Sequence, residues 1–299
     1  MATLFIGLGR MGAPMARNYA AAGRDVVLFD VDATVAGSLA EDIGARAVDS
    51  PAEVPADVDT VVLMLPNSRI VESVLEADGL LARLPDGSLV IDMGSSEPAS
   101  TRRLAEVARG EGIGYVDAPV SGGVAKAVTG ELSIMVGGAG DDVRRARPHL
   151  EPLGAAILDV GPPGSGHAAK ALNNLLSASN LAAAAEVLTV ARAFGIEPDV
   201  MVDVINASTG RSQATEVKYP RHVLTGSYDS GFAMDLMIKD LRIARSLARA
   251  EGLQTPVTDA AAETADSARA ALARDDLDHT EVARYYESVN GVSLRATRA

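Results

Sequence analysis

The residues that most clearly suggest chemistry in this chain are a lysine and an asparagine four positions apart. Lys170 and Asn174 lie near the start of a long alanine-rich segment, and Ser177 follows three positions later. Residues three or four positions apart share one face of a helix, so these side chains point the same way. A cation and an amide on one helix face form either a buried polar contact between helices or a site for proton transfer. Which of these two roles the side chains have depends on the elements of the fold that position them.

A glycine-rich loop near the amino terminus indicates a phosphate-binding turn. The run Gly7-Leu8-Gly9-Arg10-Met11-Gly12 follows a strand pattern and opens a helical one. The first glycine allows the tight turn, the second lets the backbone approach a pyrophosphate, and the third lets helix and strand pack closely. The spacing is weak evidence alone, but here it has the required strand before it and helix after it. We predict that a dinucleotide is bound by Gly7, Leu8, Gly9, Arg10, Met11 and Gly12.

An acidic residue at the end of the second predicted strand bears on which dinucleotide is bound. Asp30 occupies the position where a carboxylate accepts hydrogen bonds from the adenosine ribose and repels a 2′-phosphate. This predicts NAD as the cofactor, with NADP disfavoured. The alternative is an aspartate that only opens a turn together with Asp32.

Composition excludes several kinds of site. A length of 299 residues with 47% hydrophobic content is sufficient for two domains with packed cores. The chain has no cysteine and its four histidines are scattered, so we predict no metal site and no thiolate chemistry. A net charge of -13 opposes nucleic-acid binding. With no basic leader, and with polar residues interrupting the apolar stretch 175–194, we expect a cytoplasmic protein with no membrane partner.

Two different patterns divide the chain. Up to about residue 160, short β-branched runs alternate with helical periodicity, which predicts a parallel sheet covered by helices. Strands are predicted at residues 4–6, 26–29, 61–64, 89–91, 115–116, 133–136 and 156–158. After a glycine- and proline-rich break, helices are predicted from about residue 167 to 195 and at residues 200–207, 234–250, 256–273 and 278–289. We predict an α/β N-terminal Rossmann-type dinucleotide-binding domain over residues 1–163, followed by an all-α C-terminal domain over residues 164–299, joined by a long helix.

Local signals support the helix limits in the second half. Gly195 is a plausible C′ residue for the long helix, and Thr255 precedes a proline as a predicted N-cap. Asp278 and Glu281 have the spacing of a capping box. The long helix, at roughly 1.5 Å per residue, exceeds what one small domain needs, so we expect it to support a partner subunit as well.

Several motifs in order resemble the β-hydroxyacid dehydrogenase family, most closely its 3-hydroxyisobutyrate dehydrogenase branch. The resemblance covers nearly the whole chain. The motifs are the cofactor signature at residues 5–16, Met64-Leu65-Pro66, the substrate loop at residues 117–123, the catalytic helix at residues 166–174, Gly231-Phe232 and Lys239-Asp240-Leu241. In that family the N-terminal domain binds the dinucleotide, and subunits interlock through the long helix as homodimers that pair into homotetramers.

The resemblance implies a role for each matching residue. Lys170 becomes the proton-transfer residue and Asn174 its substrate-orienting neighbour, while the substrate carboxylate is held by Ser121, Gly122 and Gly123. Phe232 forms a pocket wall, and Lys239 contacts cofactor or substrate. The remaining cofactor contacts implied are Leu65, Pro66 and Ser95, the last standing where family members commonly carry threonine.

Simple structural interpretations compete with these roles. Lys170 alone would be read as a surface lysine, and Asn174 as an interhelical hydrogen bond. Ser121 with its glycines could form only a turn, and Lys239 could pair with Asp235 or Asp240.

The implied reaction is the reversible NAD-linked oxidation of a small 3-hydroxy acid such as 3-hydroxyisobutyrate. Lys170 can accept the hydroxyl proton only when neutral, so we expect burial and the positive nicotinamide to lower its pKa from about 10.4. Tartronate semialdehyde, succinic semialdehyde, threonate and aryl hydroxy acids remain alternative substrates, since the segment at residues 219–231 looks shorter than in mammalian-type enzymes.

Relatives with other chemistry offer further alternatives. Decarboxylating 6-phosphogluconate dehydrogenases carry a glutamate where this chain has Ser177, and imine reductases usually replace the lysine. A catalytically silent NAD-binding module is the non-enzymatic alternative, and the retained Lys170 opposes it.

Overall fold

Residues 1–296 are described by a computed structural model of the chain. They form two compact units, Met1–Lys170 and a second unit that begins at Ala171. The boundary that we predicted, between residues 163 and 164, falls before the first turn of the long helix. That turn belongs to the N-terminal unit because it packs on strands of the sheet, as described below.

The N-terminal unit is built on one sheet, which has nine strands in the described residues. The strands are β1 (Ala2–Ile6), β2 (Val26–Phe29), β3 (Arg46–Ala47), β4 (Val58–Leu63), β5 (Leu89–Asp92), β6 (Gly114–Asp117), β7 (Val120–Ser121), β8 (Leu132–Gly138) and β9 (Gly154–Gly161). Six of them run parallel in the order β3-β2-β1-β4-β5-β6, which is the order of dinucleotide-binding sheets. β8 is antiparallel to β6 and β7 and parallel to β9. The two-residue strands β3 and β7 were not predicted from the sequence.

Helices cover both faces of this sheet. They are α1 (Gly12–Ala21), α2 (Ala33–Ile43), α3 (Ser68–Glu72), α4 (Pro98–Gly110), α5 (Gly123–Thr129) and α6 (Gly140–Leu150), with a π-helix at Ser73–Ala77 and a 3₁₀-helix at Leu81–Arg83. Successive side chains on a strand point to opposite faces. Phe5 therefore packs in one apolar cluster, while Leu4 and Ile6 pack in another. Burial on both faces explains why these strands read as nearly continuous apolar runs.

The second unit is helical. It contains most of α7 (Ser165–Phe194), followed by α8 (Pro198–Asn206), α9 (Met234–Ala250), α10 (Pro256–Leu272) and α11 (Val282–Asn290), with a π-helix at Ala214–Val223 and a 3₁₀-helix at His279–Glu281. These elements and the parallel sheet confirm the predicted fold class. Within the described residues, only α7 is long and apolar enough to span a membrane by length and composition. In its most apolar window 44% of the residues are buried inside the protein.

The three predicted helix-end positions are confirmed. Gly195 follows α7 with a φ of +101°, and Asp278 and Glu281 form the capping box. Thr255 is the N-cap residue of α10 and Pro256 begins the helix, as predicted, although the Thr255 side chain makes no capping hydrogen bond. Its ψ of 69° lies away from the extended conformation usual for an N-cap, such as the 144° of Asp278.

Candidate active site

The glycine loop between β1 and α1 has the shape that a dinucleotide requires. Gly7 has a φ of +93°, and a Cβ atom on Gly12 would collide with the Gly7 carbonyl oxygen. A Cβ atom on Gly9, in contrast, would meet no protein atom within 4 Å. Packing therefore explains the first and third glycines, while the second leaves open space beside the start of α1. These residues fit a pyrophosphate lying on the loop.

Asp30 is tied directly to this loop. Its Oδ2 accepts a hydrogen bond from the Leu8 backbone N–H at 2.6 Å, and its Oδ1 accepts one from the Asp32 N–H at 3.0 Å. The Leu8 side chain is buried in the sheet core, so Leu8 can serve a ligand only through its backbone. Asp30 thus forms the turn with Asp32 that was weighed as the structural alternative. Its carboxylate also lies beside the proposed dinucleotide loop.

The segments after β4 and β5 lie next to the glycine loop. The Met64 backbone N–H donates to the Ile6 carbonyl oxygen at 2.8 Å, and a Cβ on Gly7 would collide with the Met64 carbonyl oxygen. A Cβ on Gly94 would likewise collide with the carbonyl oxygen of Leu65. Leu65, Pro66 and Ser95 therefore follow neighbouring strands at the carboxyl edge of the parallel sheet, where ligands of such sheets bind.

The predicted carboxylate-binding loop is a tight turn between β7 and α5. Ser121 is half-buried and pairs with Ser133 of β8. Gly122 and Gly123 follow with φ values of +135° and +70°, which L side chains rarely adopt. The turn requires both glycines, and a Cβ on Gly123 would meet no protein atom within 4 Å. Its backbone is accordingly open to close approach by a ligand.

A buried carboxylate fixes the start of α7, and sequence reasoning missed it. Asp117 accepts hydrogen bonds from the Gly164 N–H at 2.8 Å and the His167 N–H at 2.9 Å. A Cβ on Gly166 would lie 2.5 Å from the Met135 carbonyl oxygen, so this turn rests directly on strand backbone. The helix turn that precedes Lys170 is thereby held against β6 and β8.

Other titratable groups surround this carboxylate. The fully buried His167 shares a hydrogen bond with the Thr101 hydroxyl through Nδ1 at 2.8 Å. Asp92 accepts a hydrogen bond from the Tyr115 hydroxyl at 3.3 Å. Burial raises the pKa of Asp117, an effect that the nearby His167 opposes, and burial also raises the pKa of Tyr115. Asp92 and Asp117 each end a strand. This position at a strand end was the signal in the sequence that could have indicated their role.

On α7, the predicted face carries a half-buried Lys170 and a buried Asn174. The Asn174 amide nitrogen donates to Asp240 Oδ2 of α9 at 2.6 Å, and its oxygen accepts from Asn173 at 3.2 Å. Lys239 Nζ lies 3.4 Å from Asp240 Oδ1. The interhelical bond weighed for Asn174 and the ion pair weighed for Lys239 are thus both present in the second unit.

A further lysine that sequence reasoning missed lies against the same helix. Lys218, on the π-helix, donates from Nζ to the Ser177 hydroxyl at 2.9 Å. Phe232 is half-buried and packs edge-on against His279, with ring centroids 5.2 Å apart. Burial, and then the positive charge of Lys218, lower the pKa of His279 to about 4. Among residues 1–296 no group of three histidine or carboxylate side chains is arranged to hold a metal ion.

Two family profiles together match nearly all of the chain. The first, described as the NAD binding domain of 6-phosphogluconate dehydrogenase, matches residues 3–161. The second, described as the NAD-binding region of NADP-dependent 3-hydroxyisobutyrate dehydrogenase, matches residues 164–286. The chain therefore contains an NAD-binding domain, as predicted.

Full-length relatives agree with the profiles. 2-(Hydroxymethyl)glutarate dehydrogenase of Eubacterium barkeri is 40% identical over 97% of this chain and 96% of its own length. NAD-dependent L-serine dehydrogenase of Pseudomonas aeruginosa is 40% identical over 85% of this chain and 87% of its own. The structure of Mycobacterium tuberculosis 3-hydroxyisobutyrate dehydrogenase with L-serine superposes with a TM-score of 0.88 at 35% identity, covering 95% of this chain and 99% of that one. The chain therefore belongs to the β-hydroxyacid dehydrogenase family, whose members are NAD-binding oxidoreductases that act on CH–OH groups.

Proposed function

We propose that this protein catalyses the reversible NAD-linked oxidation of a small 3-hydroxy acid, with Lys170 as the general acid and base. One observation carries the proposal. The Asp117 carboxylate, at the start of the loop that leads to Ser121, also holds the helix turn just before Lys170. The proposed proton-transfer group and the proposed carboxylate-binding loop are therefore joined within one unit, which also contains the dinucleotide loop.

The chain's own residues handle the proton and the substrate's orientation. A dinucleotide held by the glycine loop would supply a nicotinamide as the hydride acceptor for the alcohol carbon. The neutral amine of Lys170 takes the hydroxyl proton as the carbonyl forms, and its ammonium returns that proton in the reducing direction. Ser121 with the amides of Gly122 and Gly123 would hold the carboxylate, and Asn174 would orient the alcohol.

Three compounds named in the relatives share one chemical unit. 2-(Hydroxymethyl)glutarate, L-serine and 3-hydroxyisobutyrate each carry a hydroxymethyl group on the carbon next to a carboxylate. This unit, rather than any one compound, is the proposed substrate class. Tartronate and succinic semialdehydes, threonate and aryl hydroxy acids remain candidates for the same chemistry.

Decarboxylation is a second candidate, but the environment of Ser177 disfavours it. A decarboxylating enzyme needs an acid one turn beyond Asn174 to protonate an enol. Here Ser177 occupies that position and accepts a hydrogen bond from the Lys218 ammonium. We therefore expect no release of carbon dioxide.

The direct test is NADH formation with a panel of hydroxy acids. We expect turnover with at least one of 3-hydroxyisobutyrate, L-serine, 2-(hydroxymethyl)glutarate, D-glycerate, threonate and phenylserine. NAD binding measured by calorimetry, without turnover of any compound in either direction, would instead indicate a silent cofactor-binding module.

Replacing Asp30 by asparagine should weaken the preference for NAD. Wild-type protein should use NAD better than NADP because the carboxylate repels a 2′-phosphate. Asparagine keeps an oxygen for the Leu8 N–H, which Asp30 Oδ2 now binds at 2.6 Å, but lacks the charge. We expect the ratio of kcat/KM values for the two cofactors to change by about tenfold, equivalent to about 1.4 kcal/mol.

The matched control for this prediction is Asp32→Asn. Asp32 is exposed and caps α2 through the Thr34 N–H, a role that asparagine also fulfils. The control should leave the cofactor ratio unchanged. A wild-type preference for NADP would contradict the role assigned to Asp30.

The exposed side of α7 supports self-association, and we propose a homodimer or homotetramer. Leu176, Val190 and Phe194 are 63%, 68% and 84% exposed, although each is apolar. Such a row on one helix is typical of a covered interface. The double variant Leu176→Asp/Val190→Asp should shift the mass measured by light scattering toward that of a single chain. The control Val107→Asp, at an exposed position of α4, should not; unchanged association of the double variant would place the interface elsewhere.

A further inference from the structure

Lysine is rare in this chain, and its distribution is uneven. Of the 27 basic residues only four are lysine, at positions 126, 170, 218 and 239, and the other 23 are arginine. Lys170 and Lys239 lie in the proposed active site, and the Lys126 side chain lies against Gly122 of the carboxylate-binding turn. Arginine is thus the usual surface cation here. Position 218 carries a lysine where most basic positions of this chain carry arginine. A lysine ammonium is a compact point charge, whereas an arginine guanidinium is a planar group with several donors.

The position of Lys218 relates it to the proposed catalytic face of α7. Its Nζ lies 2.9 Å from the Ser177 hydroxyl. Ser177 follows Asn174 by three residues and Lys170 by seven, so all three share one face of the helix. Seven residues correspond to about 10 Å along a helix axis. The Lys218 ammonium therefore lies beside the turn that follows the proposed alcohol-binding position.

The π-helix that carries Lys218 also contacts the 3₁₀-helix that carries His279. His279 packs against the Phe232 ring, and its lowered pKa reflects burial and then the positive charge of Lys218. His279 Nδ1 lies 3.1 Å from the Phe232 carbonyl oxygen, which can only accept, so Nδ1 carries the proton. Nε2 is then an acceptor, buried and without a hydrogen-bond partner in the described part of the chain. The π-helix of Lys218 thus contacts α7 one turn beyond Asn174, and it also contacts the segment of His279, whose ring packs against Phe232.

We propose that Lys218 binds a second anionic group of the substrate, beside the turn of α7 that follows Asn174. This inference rests on the proposed function and narrows its substrate class to 3-hydroxy acids with two acid groups. A protein of net charge -13 repels a doubly charged acid, so a local cation at the binding position is required to favour it. The ammonium supplies that charge as a compact point donor to a carboxylate or sulfonate.

The test compares substrates with one and two acid groups in wild-type protein and in Lys218→Met. Wild-type protein should show a kcat/KM for 2-(hydroxymethyl)glutarate at least tenfold above that for 3-hydroxyisobutyrate. The variant should lose about tenfold or more on the first substrate, chiefly through KM, and less than twofold on the second. Arg221→Met, which removes an exposed cation from the same π-helix, is the matched control and should change neither value.

Binding without turnover gives a second measurement. Glutarate should inhibit wild-type protein more strongly than butyrate, and Lys218→Met should abolish the difference. Inhibition by 4-sulfobutyrate but not glutarate would assign the position to a sulfonate rather than a carboxylate, and would still support the second anionic group.

Three outcomes would overturn the inference. Equal losses on both substrates, or a lower melting temperature with no change in substrate preference, would make Lys218 a structural tie to Ser177. A wild-type preference for 3-hydroxyisobutyrate would contradict the second acid group while leaving the proposed reaction in place. Absence of turnover with every hydroxy acid would remove the proposed reaction and this inference together.

Discussion

Replacing Lys170 by methionine should abolish turnover while leaving the fold and NADH binding intact. Methionine keeps an unbranched side chain on the half-buried face of α7 but cannot exchange a proton. General acid–base catalysis contributes about 10²- to 10⁴-fold, so we expect kcat to fall by at least that factor. The measurements are steady-state kinetics in both directions and NADH binding followed by fluorescence.

The pH dependence of wild-type protein should have opposite signs in the two directions. Oxidation requires the neutral amine and should accelerate as pH rises, whereas reduction requires the ammonium and should slow down. Arg192→Met, which removes a cation that pairs with Glu197 near the far end of α7, is the control and should retain activity. Substantial residual turnover in Lys170→Met, or a pH profile unchanged by it, would contradict the assigned role.

The elements that local sequence determines were predicted closely. Each of the seven strands predicted from β-branched runs is present, and α9 has the predicted limits Met234–Ala250. The glycine loop was also readable, because Gly7 and Gly12 are required by turn geometry and by contact between neighbouring elements. Signals of this kind lie within a few residues of the feature that they determine, so a single sequence is sufficient to detect them.

Features that depend on distant partners were not predictable. The π-helix Ala214–Val223 contains Pro220, which argues locally against any helix, yet its Tyr219 is fully buried and donates to the Leu181 carbonyl oxygen at 2.7 Å. The bond between Lys218 and Ser177 joins residues 41 positions apart. No periodic pattern in the sequence indicates a pairing of this kind.

Asn174 illustrates how a family resemblance and a structural role can coincide. The resemblance implies that it orients the substrate, whereas its amide donates to Asp240 and accepts from Asn173. A side chain fixed in this way has a defined orientation, which is what a substrate-orienting group requires. These hydrogen bonds are therefore compatible with a substrate-orienting role for Asn174. They also show that α9 holds its amide in place.

Replacing Asp117 by alanine should destabilise the N-terminal unit. The change leaves the buried N–H groups of Gly164 and His167 without their acceptor, at about 1–3 kcal/mol each. We expect a total loss of about 2–6 kcal/mol in the free energy of unfolding, measured by urea denaturation. The control Asp49→Asn, at an exposed carboxylate of the same unit, should change it by less than about 0.5 kcal/mol.

Asp117→Asn removes the charge and one of the two acceptor oxygens. Burial raises the pKa of Asp117 in the folded protein above that of the unfolded chain. The folded state therefore binds this proton more tightly, and the group's contribution to stability falls as pH rises from about 4 through the folded pKa. Asparagine has no such titration, so the stability difference between wild type and Asp117→Asn should shift in favour of the variant as pH rises over that range. A pH-independent difference would contradict a raised pKa.

The effect of Asp117 on catalysis should follow from the helix turn that it holds. Asp117 anchors the turn that precedes Lys170 and begins the loop that leads to Ser121. Displacing a proton-transfer group by about 1 Å can cost about 10²-fold in rate. Asp117→Asn should therefore lower kcat by about tenfold or more while the dissociation constant of NADH stays within twofold of wild type. Equal losses in kcat and NADH affinity would show that the whole unit, rather than the position of Lys170, depends on this carboxylate.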